Sequence, residues 1–159
     1  MRPDVANVYV RELVERLTGT KPEPDDDGDL PVVFGGALFF VRVVGPVGEI
    51  EPWIQVFSVA VDDIEATPEL MAELNEVNRD LRFARAFHVD SQVLIEYEMW
   101  ADDLTPENFA HACRNVAGAT DVFAHQIHEK FGGTLLFEAS KDDDYGADPP
   151  PESSRMAYL

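Results

Sequence analysis

The sequence predicts a single α+β domain in which three helices pack on an antiparallel five-stranded sheet, in the chain order αβββαββα. Two observations indicate this fold. The spacing of apolar residues changes from helical to alternating and back along the chain, and Gly or Pro residues stand at most of the changes. With 159 residues, the chain is also long enough to bury one substantial core without disulfide support.

The first third of the chain is predicted to form one helix and three strands. Over residues 4–17, apolar side chains recur every three or four positions, which places them on one face of a helix. Residues 32–34 and 37–44 are apolar, β-branched runs separated by two glycines, as in a hairpin. Residues 49–61 are the third strand, with a bulge expected at Pro52, because proline cannot donate to a central ladder.

Capping signals predict where the other two helices begin. Thr67 and Thr105 each precede Pro and then Glu, the pattern of an N-cap followed by proline in the first turn. Between these helices, residues 83–89 and 92–100 are predicted to be two strands joined by a two-residue turn. A long apolar stripe follows Thr105 and predicts a final helix, weakened partway along by Gly118.

Charge and cysteine content narrow the classes of function. The formal charge is -19 at pH 7, from 31 acidic and 12 basic residues, so binding to a nucleic-acid backbone is disfavoured. No apolar run is long enough for a signal peptide or a membrane span, so we expect a cytoplasmic chain with no membrane partner. The lone Cys113 is expected to be a buried helix residue and not a reactive thiol.

Acidic residues concentrate in two segments. Residues 21–29 hold five acids and one base, and residues 138–159 hold six acids and two bases together with three consecutive prolines. The chain is therefore predicted to divide into a folded domain, residues 1–137, and an acidic tail, residues 138–159, that is disordered. The acids either keep the chain in solution or recruit a basic partner.

Alternation separates the predicted sheet into two faces of different chemistry. One is almost wholly apolar and is expected to lie under the helices. The other mixes large rings with opposite charges, a combination that usually marks an interaction surface when it is exposed. We predict that this second face binds an extended peptide or a second copy of the chain, unless a helix or residues 134–137 cover its rings. The predicted contact residues are Phe40, Arg42, Trp53, Phe57, Phe83, Arg85, Phe87 and Trp100.

The sequence contains no convincing pattern of catalytic or metal-binding residues. Residues 23–28 resemble the start of a calcium loop, but Phe34 stands where the bidentate acid is required. His125 and His128 are one helical turn apart, whereas His111 would be about 21 Å away on the same helix, too far to share a metal ion. No phosphate-binding loop or nucleophile motif occurs. We therefore predict no cofactor, no metal site and no enzymatic activity.

The junction between the second helix and the fourth strand carries a family resemblance. Residues 74–87 read LNEVNRDLRFARAF, so Asn75 and Asn78 are on a helix that runs into an Arg-Phe-Ala-Arg sequence. This segment resembles the signature of the YbjN family, and the strand and long helix that follow are similar too. The resemblance extends over roughly residues 5–131.

The resemblance implies the fold of type III secretion chaperones, which are often dimeric and hold extended segments of other proteins without ATP. It implies a domain that acts as a homodimer and binds a protein or peptide client in a chaperone-like or regulatory role. It carries over no catalytic residue. Asn75 and Asn78 are expected to bond backbone groups where the helix meets the strand. Charge leaves open an acidic regulator that competes for a basic partner, and an unrecognised metal-dependent or small-molecule enzyme is a third possibility.

Overall fold

The helices and strands follow the predicted chain order, which confirms the α+β class and the αβββαββα arrangement. The computed structural model describes residues 1–46 and 50–136, so the predicted tail, residues 138–159, lies outside the described residues. The elements are α1 Pro3–Thr18, β1 Leu30–Phe34, β2 Ala37–Val44, β3 Trp53–Val61, α2 Pro68–Asp80, β4 Arg85–Val89, β5 Gln92–Trp100 and α3 Pro106–Phe131, with a short 3-10 turn before α3.

Both predicted helix caps form. Thr67 Oγ1 accepts a hydrogen bond from the Leu70 amide at 3.1 Å, and Thr105 Oγ1 accepts one from the Asn108 amide at 3.1 Å. These bonds satisfy amides that the first turn of a helix leaves without partners. Gly118 does not interrupt α3, because buried side chains flank it on the helix and their packing outweighs the small propensity cost of one glycine.

Two strand boundaries differ from the prediction. β3 begins directly after Pro52, so the proline interrupts no ladder, and the bulge lies near the other end of the strand, between Val59 and Val61. β4 begins two residues after Phe83, because this residue has a φ of 66° and its backbone is not extended. The turn between β4 and β5 falls where it was predicted.

The core lies between the three helices and one face of the sheet. All neighbouring strands are antiparallel, in the order β1-β2-β3-β5-β4. One buried cluster joins α1 and the first half of α3 to the sheet, and a second joins α2 and the other half of α3. The face of the sheet under the helices is apolar, as predicted, and its residues belong to these clusters or pack against them: Phe39, Val41, Val43, Ile54, Val56, Val93, Ile95, Tyr97 and Met99.

Cys113 is part of this core, as predicted. Burial raises the pKa of its thiol to about 12, and the opposite effect of the neighbouring Arg114 is smaller. The side chain therefore stays a neutral thiol at physiological pH. It contributes to the structure as a small apolar group and not as a nucleophile.

Gly133 joins the end of α3 to the sheet at a position with no room for a side chain. Its φ is +83°, and a Cβ atom there would lie 2.5 Å from Val61 Cγ1 and 2.7 Å from the carbonyl oxygen of Asp62. The next residue, Thr134, exchanges two backbone hydrogen bonds with Asp62, which holds the segment in place. We expect Gly133→Ala to lower the free energy of unfolding by roughly 2 kcal/mol or more in urea denaturation.

Gly19→Ala is the matched control for this prediction. Gly19 also has a positive φ, 73°, at the end of α1, but no atom lies within 4 Å of the position that a Cβ would take. Its substitution should cost only the backbone strain, about 1 kcal/mol. An equal loss of stability in the two variants would contradict the predicted clash at Gly133.

Candidate functional site on the open sheet face

The sheet face turned away from the helices carries all but one of the predicted contact residues. Phe40 lies directly opposite Phe57 on the next strand, and the two tryptophans are paired in the same way further along β3. Residues directly opposite each other in an antiparallel ladder project to the same side of the sheet. We call this surface the open face; its members are Phe40, Arg42, Trp53, Gln55, Phe57, Arg85, Phe87, Leu94, Glu96, Glu98 and Trp100.

No helix of the described residues packs on the open face. The buried residues of α1, α2 and α3 belong to the clusters on the opposite side of the sheet. In the C-terminal segment, Thr134 forms a bridge with Asp62 at the end of β3, and Leu135 packs against the helix-side core. Leu135 and Leu136 line the same cavity as Phe40, so the described part of residues 134–137 borders the open face at this ring, and residue 137 lies outside the described residues.

Phe83 does not belong to the open face, contrary to the prediction. Its ring centroid lies 6.4 Å from that of Tyr97 and 5.6 Å from that of His111, and these two residues are on the helix side of the sheet. The positive φ of Phe83 turns its side chain to that side before β4 begins. The ring is 75% exposed there, so it is accessible but separate from the other predicted contacts.

A buried carboxylate organises the middle of the open face. Glu96 is only 1% exposed; it accepts hydrogen bonds from Arg85 Nε at 2.5 Å and from Gln55 Nε2 at 2.6 Å. A buried charge is costly unless it is paired and hydrogen-bonded, and these contacts meet that need. Arg85 also donates to Glu98 at 3.1 Å, and Glu98 accepts a bond from the Trp53 indole at 3.1 Å. The network thus links β3, β5 and β4.

A second ion pair ties the acidic loop before β1 to the open face. Arg42 Nε donates to the buried carboxylate of Asp29 at 2.8 Å. The guanidinium carbon of Arg42 also lies 4.6 Å from the centroid of the Phe57 ring, which stacks on Phe40 with centroids 5.4 Å apart. Arginine over an aromatic face is a favourable contact. Asp29 therefore has a structural role, and so does Asp25, whose Oδ1 accepts hydrogen bonds from the backbone amides of Asp27 and Asp29.

The accessible rings of the open face lie at one end of the sheet, where the start of β3 pairs with the end of β5. Trp100 is 52% exposed, and its direct neighbour Trp53 is half-buried. Phe57, by contrast, is buried beneath Arg42. An indole offers a large apolar surface and one N–H donor, a combination common at protein interfaces. The tryptophan pair is therefore the part of this face best suited to anchor a partner.

The histidines of α3 do not assemble into a site. His111 is next to Phe83 and Tyr97, whereas His125 and His128 lie towards the other end of the helix. Among the described residues, no group of three or more His, Cys, Asp or Glu side chains is placed to hold a metal ion. None of the helices in the described part of the chain is long and apolar enough to span a membrane.

Asn78 ties α2 to the fourth strand. Its Oδ1 accepts a hydrogen bond from the Ala86 amide and its Nδ2 donates to the Ala86 carbonyl, both at 2.8 Å. The side-chain amide thereby satisfies both backbone groups of one residue in β4. Asn75, one turn earlier, is exposed and makes no side-chain hydrogen bond to the described residues. The local role expected of both asparagines is thus seen only for Asn78.

The chain is similar to known proteins in both sequence and fold. A family model described as T3SS (YopN, CesT) and YbjN peptide-binding chaperone 1 matches residues 4–139. Among solved structures, the chain is similar to one from the crystal structure of the ExsC-ExsE complex, with a TM-score of 0.55 and 13% sequence identity. The match covers 76% of this chain and 94% of that chain, and at this identity it shows the fold alone. No curated protein sequence matches.

The two asparagines provide a matched pair of variants. We expect Asn78→Ala to lower the free energy of unfolding by about 1–2 kcal/mol, because two hydrogen bonds to the backbone of Ala86 are lost. Asn75→Ala should change it by less than about 0.5 kcal/mol, as is usual for an exposed position. Urea denaturation of both variants measures the difference. Equal effects would show that the bonds to Ala86 contribute nothing.

Proposed function

Because this chain belongs to the family of T3SS (YopN, CesT) and YbjN peptide-binding chaperones, we propose that it is a non-enzymatic domain whose open face binds an extended segment of a client protein. The proposal includes a chaperone-like or regulatory role and a cytoplasmic location. A chain of similar fold is solved within the ExsC-ExsE complex, which supports a protein as the partner.

The single observation that carries the proposal is the composition of the open face. A sheet face without helix cover in the described residues usually has polar side chains, yet this one has two tryptophans and three phenylalanines. Large rings at the surface are typical of places where another molecule binds. The ion pairs between the rings hold their positions, so a partner meets a surface that is already ordered.

The charges on and around this face favour a particular kind of client. The arginines and glutamates of the open face are paired with each other or with Asp29, but the chain as a whole has a formal charge of -19. Lys or Arg residues next to the apolar anchors of a client would therefore be attracted to the face. An acidic regulator that competes for a basic partner would then use this same surface. Binding that weakens steeply with salt would mark charge as the main source of affinity.

A second copy of the chain is the other partner that we propose for the open face. The pairing of Trp53 with Trp100 gives an apolar patch that two copies can bury against each other. If the copies associate in this way, they use the same rings as the client. Addition of client should then lower the self-associated fraction measured by sedimentation.

The double variant Trp53→Ser and Trp100→Ser tests the proposed function. We expect it to weaken client capture and self-association by roughly tenfold or more, because buried tryptophans often dominate an interface. Sedimentation velocity reports the self-association. Pull-down from the cytoplasm of the source cell, with the captured partner identified and then titrated in pure form, reports the client.

Phe83→Ser is the matched control, since it also removes an exposed ring but lies on the helix side of the sheet. It should leave both measurements unchanged. Unchanged mass and unchanged capture in the double tryptophan variant would contradict binding through the open face. Circular dichroism of all variants checks that the fold is retained.

A further inference from the structure

A cleft opens beside the second half of β3, on the side where β2 has left the ladder. The paired residues of these two strands end at Phe40 and Phe57, and just beyond them Ser58 Oγ donates to the Leu38 carbonyl at 2.8 Å. The cleft has a volume of about 300 Å³ and lies between the start of β2, the end of β3 and the middle of α3.

The lining of this cleft is apolar where the strands form it and mixed where α3 forms it. The strands contribute Leu38 and Phe40, whereas the helix contributes Ala124 together with three polar residues, Thr120, Asp121 and His125. Phe40 is also a member of the open face, so the cleft is continuous with that face. An apolar group placed against the strands would therefore find apolar contacts, with water and polar groups at its other side.

The chain's own C-terminal segment forms one wall of the cleft. Asp62 and Thr134 exchange backbone hydrogen bonds of 2.7 and 2.8 Å in an antiparallel bridge, which brings the segment after α3 to the end of β3. Leu135 packs against the helix-side core, and both Leu135 and Leu136 line the cleft. The described part of the chain thus ends at the cleft itself.

The next residue in the sequence is Phe137, which is large and apolar. Consecutive Cα atoms are about 3.8 Å apart, so Phe137 is attached directly to the wall of the cleft and needs no connection to reach it. Burial of a phenylalanine ring removes a large apolar surface from water, which is favourable. The next aromatic residue in the sequence, Tyr145, comes only after the acidic run at residues 142–144.

The extent of the family match supports a place for Phe137 in the folded domain. The family model matches residues 4–139, so the match continues past the last described residue and stops before the acidic run. Residues 137–139 therefore belong with the shared domain and not with the acidic residues that follow.

Thr120 supplies a second, independent sign of an occupant. The residue is 9% exposed and lines the cleft, yet its hydroxyl has no hydrogen-bond partner among the described residues. Buried hydroxyl groups nearly always have a partner. Backbone groups of a segment that enters the cleft can provide it.

We propose that the cleft is the binding site of the chain's own residues 137–139, with the ring of Phe137 seated against Phe40 and Ala124. A segment tethered at the cleft by the bridge at Thr134 has a far higher effective concentration there than a separate chain, so it outcompetes a client for this place. The acidic residues after it then leave the domain beside the open face. The client of the proposed function binds elsewhere on that face, at the tryptophan pair.

Phe137→Ser in the full chain tests this assignment. The variant should lower the melting temperature by roughly 5 °C, because a partly buried ring is replaced by a small polar side chain. Phe137→Leu keeps an apolar group and should lose less than half as much. Tyr145→Ser is the matched control, since it removes a ring from the acidic part of the same segment, and it should leave the melting temperature unchanged.

NMR provides a measurement that a general loss of stability would not reproduce. In the original chain, the ring protons of Phe137 should show NOE contacts to the methyl group of Ala124. In Phe137→Ser, the methyl signals of Ala124 and Leu38 should shift because the ring current is lost. Tyr145→Ser should leave both signals in place.

Two results would overturn the assignment of the cleft to Phe137. One is a melting temperature of Phe137→Ser equal to that of the original chain, together with no NOE contact between Phe137 and any residue that lines the cleft. The other is a purified client that shows NOE contacts to Ala124 and binds Phe137→Ser more tightly, which would make the client the occupant. The proposed function stands or falls separately, by the double tryptophan variant.

Discussion

The structure depends on one constraint: three helices bury a single face of a five-stranded sheet. Burial of that face supplies most of the apolar contact, from Phe39 and Ile54 at one end of the core to Ile127 at the other. The opposite face must then be ordered by contacts within the sheet. The chain meets this requirement with charges buried among rings, so the surface proposed to bind a partner is also a structural part of the sheet.

The buried Glu96 shows how closely these two roles are joined. Its bonds to Arg85 and Gln55 cross three adjacent strands and favour one register over a slipped one. A buried ion pair adds little net stability compared with apolar packing, but loss of one partner is costly. The rings around it are therefore held in fixed positions, and binding need not order them first.

Local signals made most of the fold predictable from the sequence. Thr67 and Thr105 cap helices through contacts within four residues, and alternation is a property of each strand alone. Phe83 was misplaced because alternation does not reveal a left-handed backbone. The end of the β2–β3 ladder at the pair Phe40 and Phe57 could not be foreseen, because the alternation within each strand does not determine how far two strands stay paired.

The bonds between Asn78 and Ala86 have a consequence for assembly of the sheet. β4 is an edge strand, and an edge with free backbone groups can recruit strands from other molecules and aggregate. At Ala86, the outward N–H and C=O are already occupied by a side-chain amide. Continuous addition of a foreign strand along this edge would require those bonds to break. The β4 edge of this domain is thereby protected against the strand-by-strand addition that leads to aggregation.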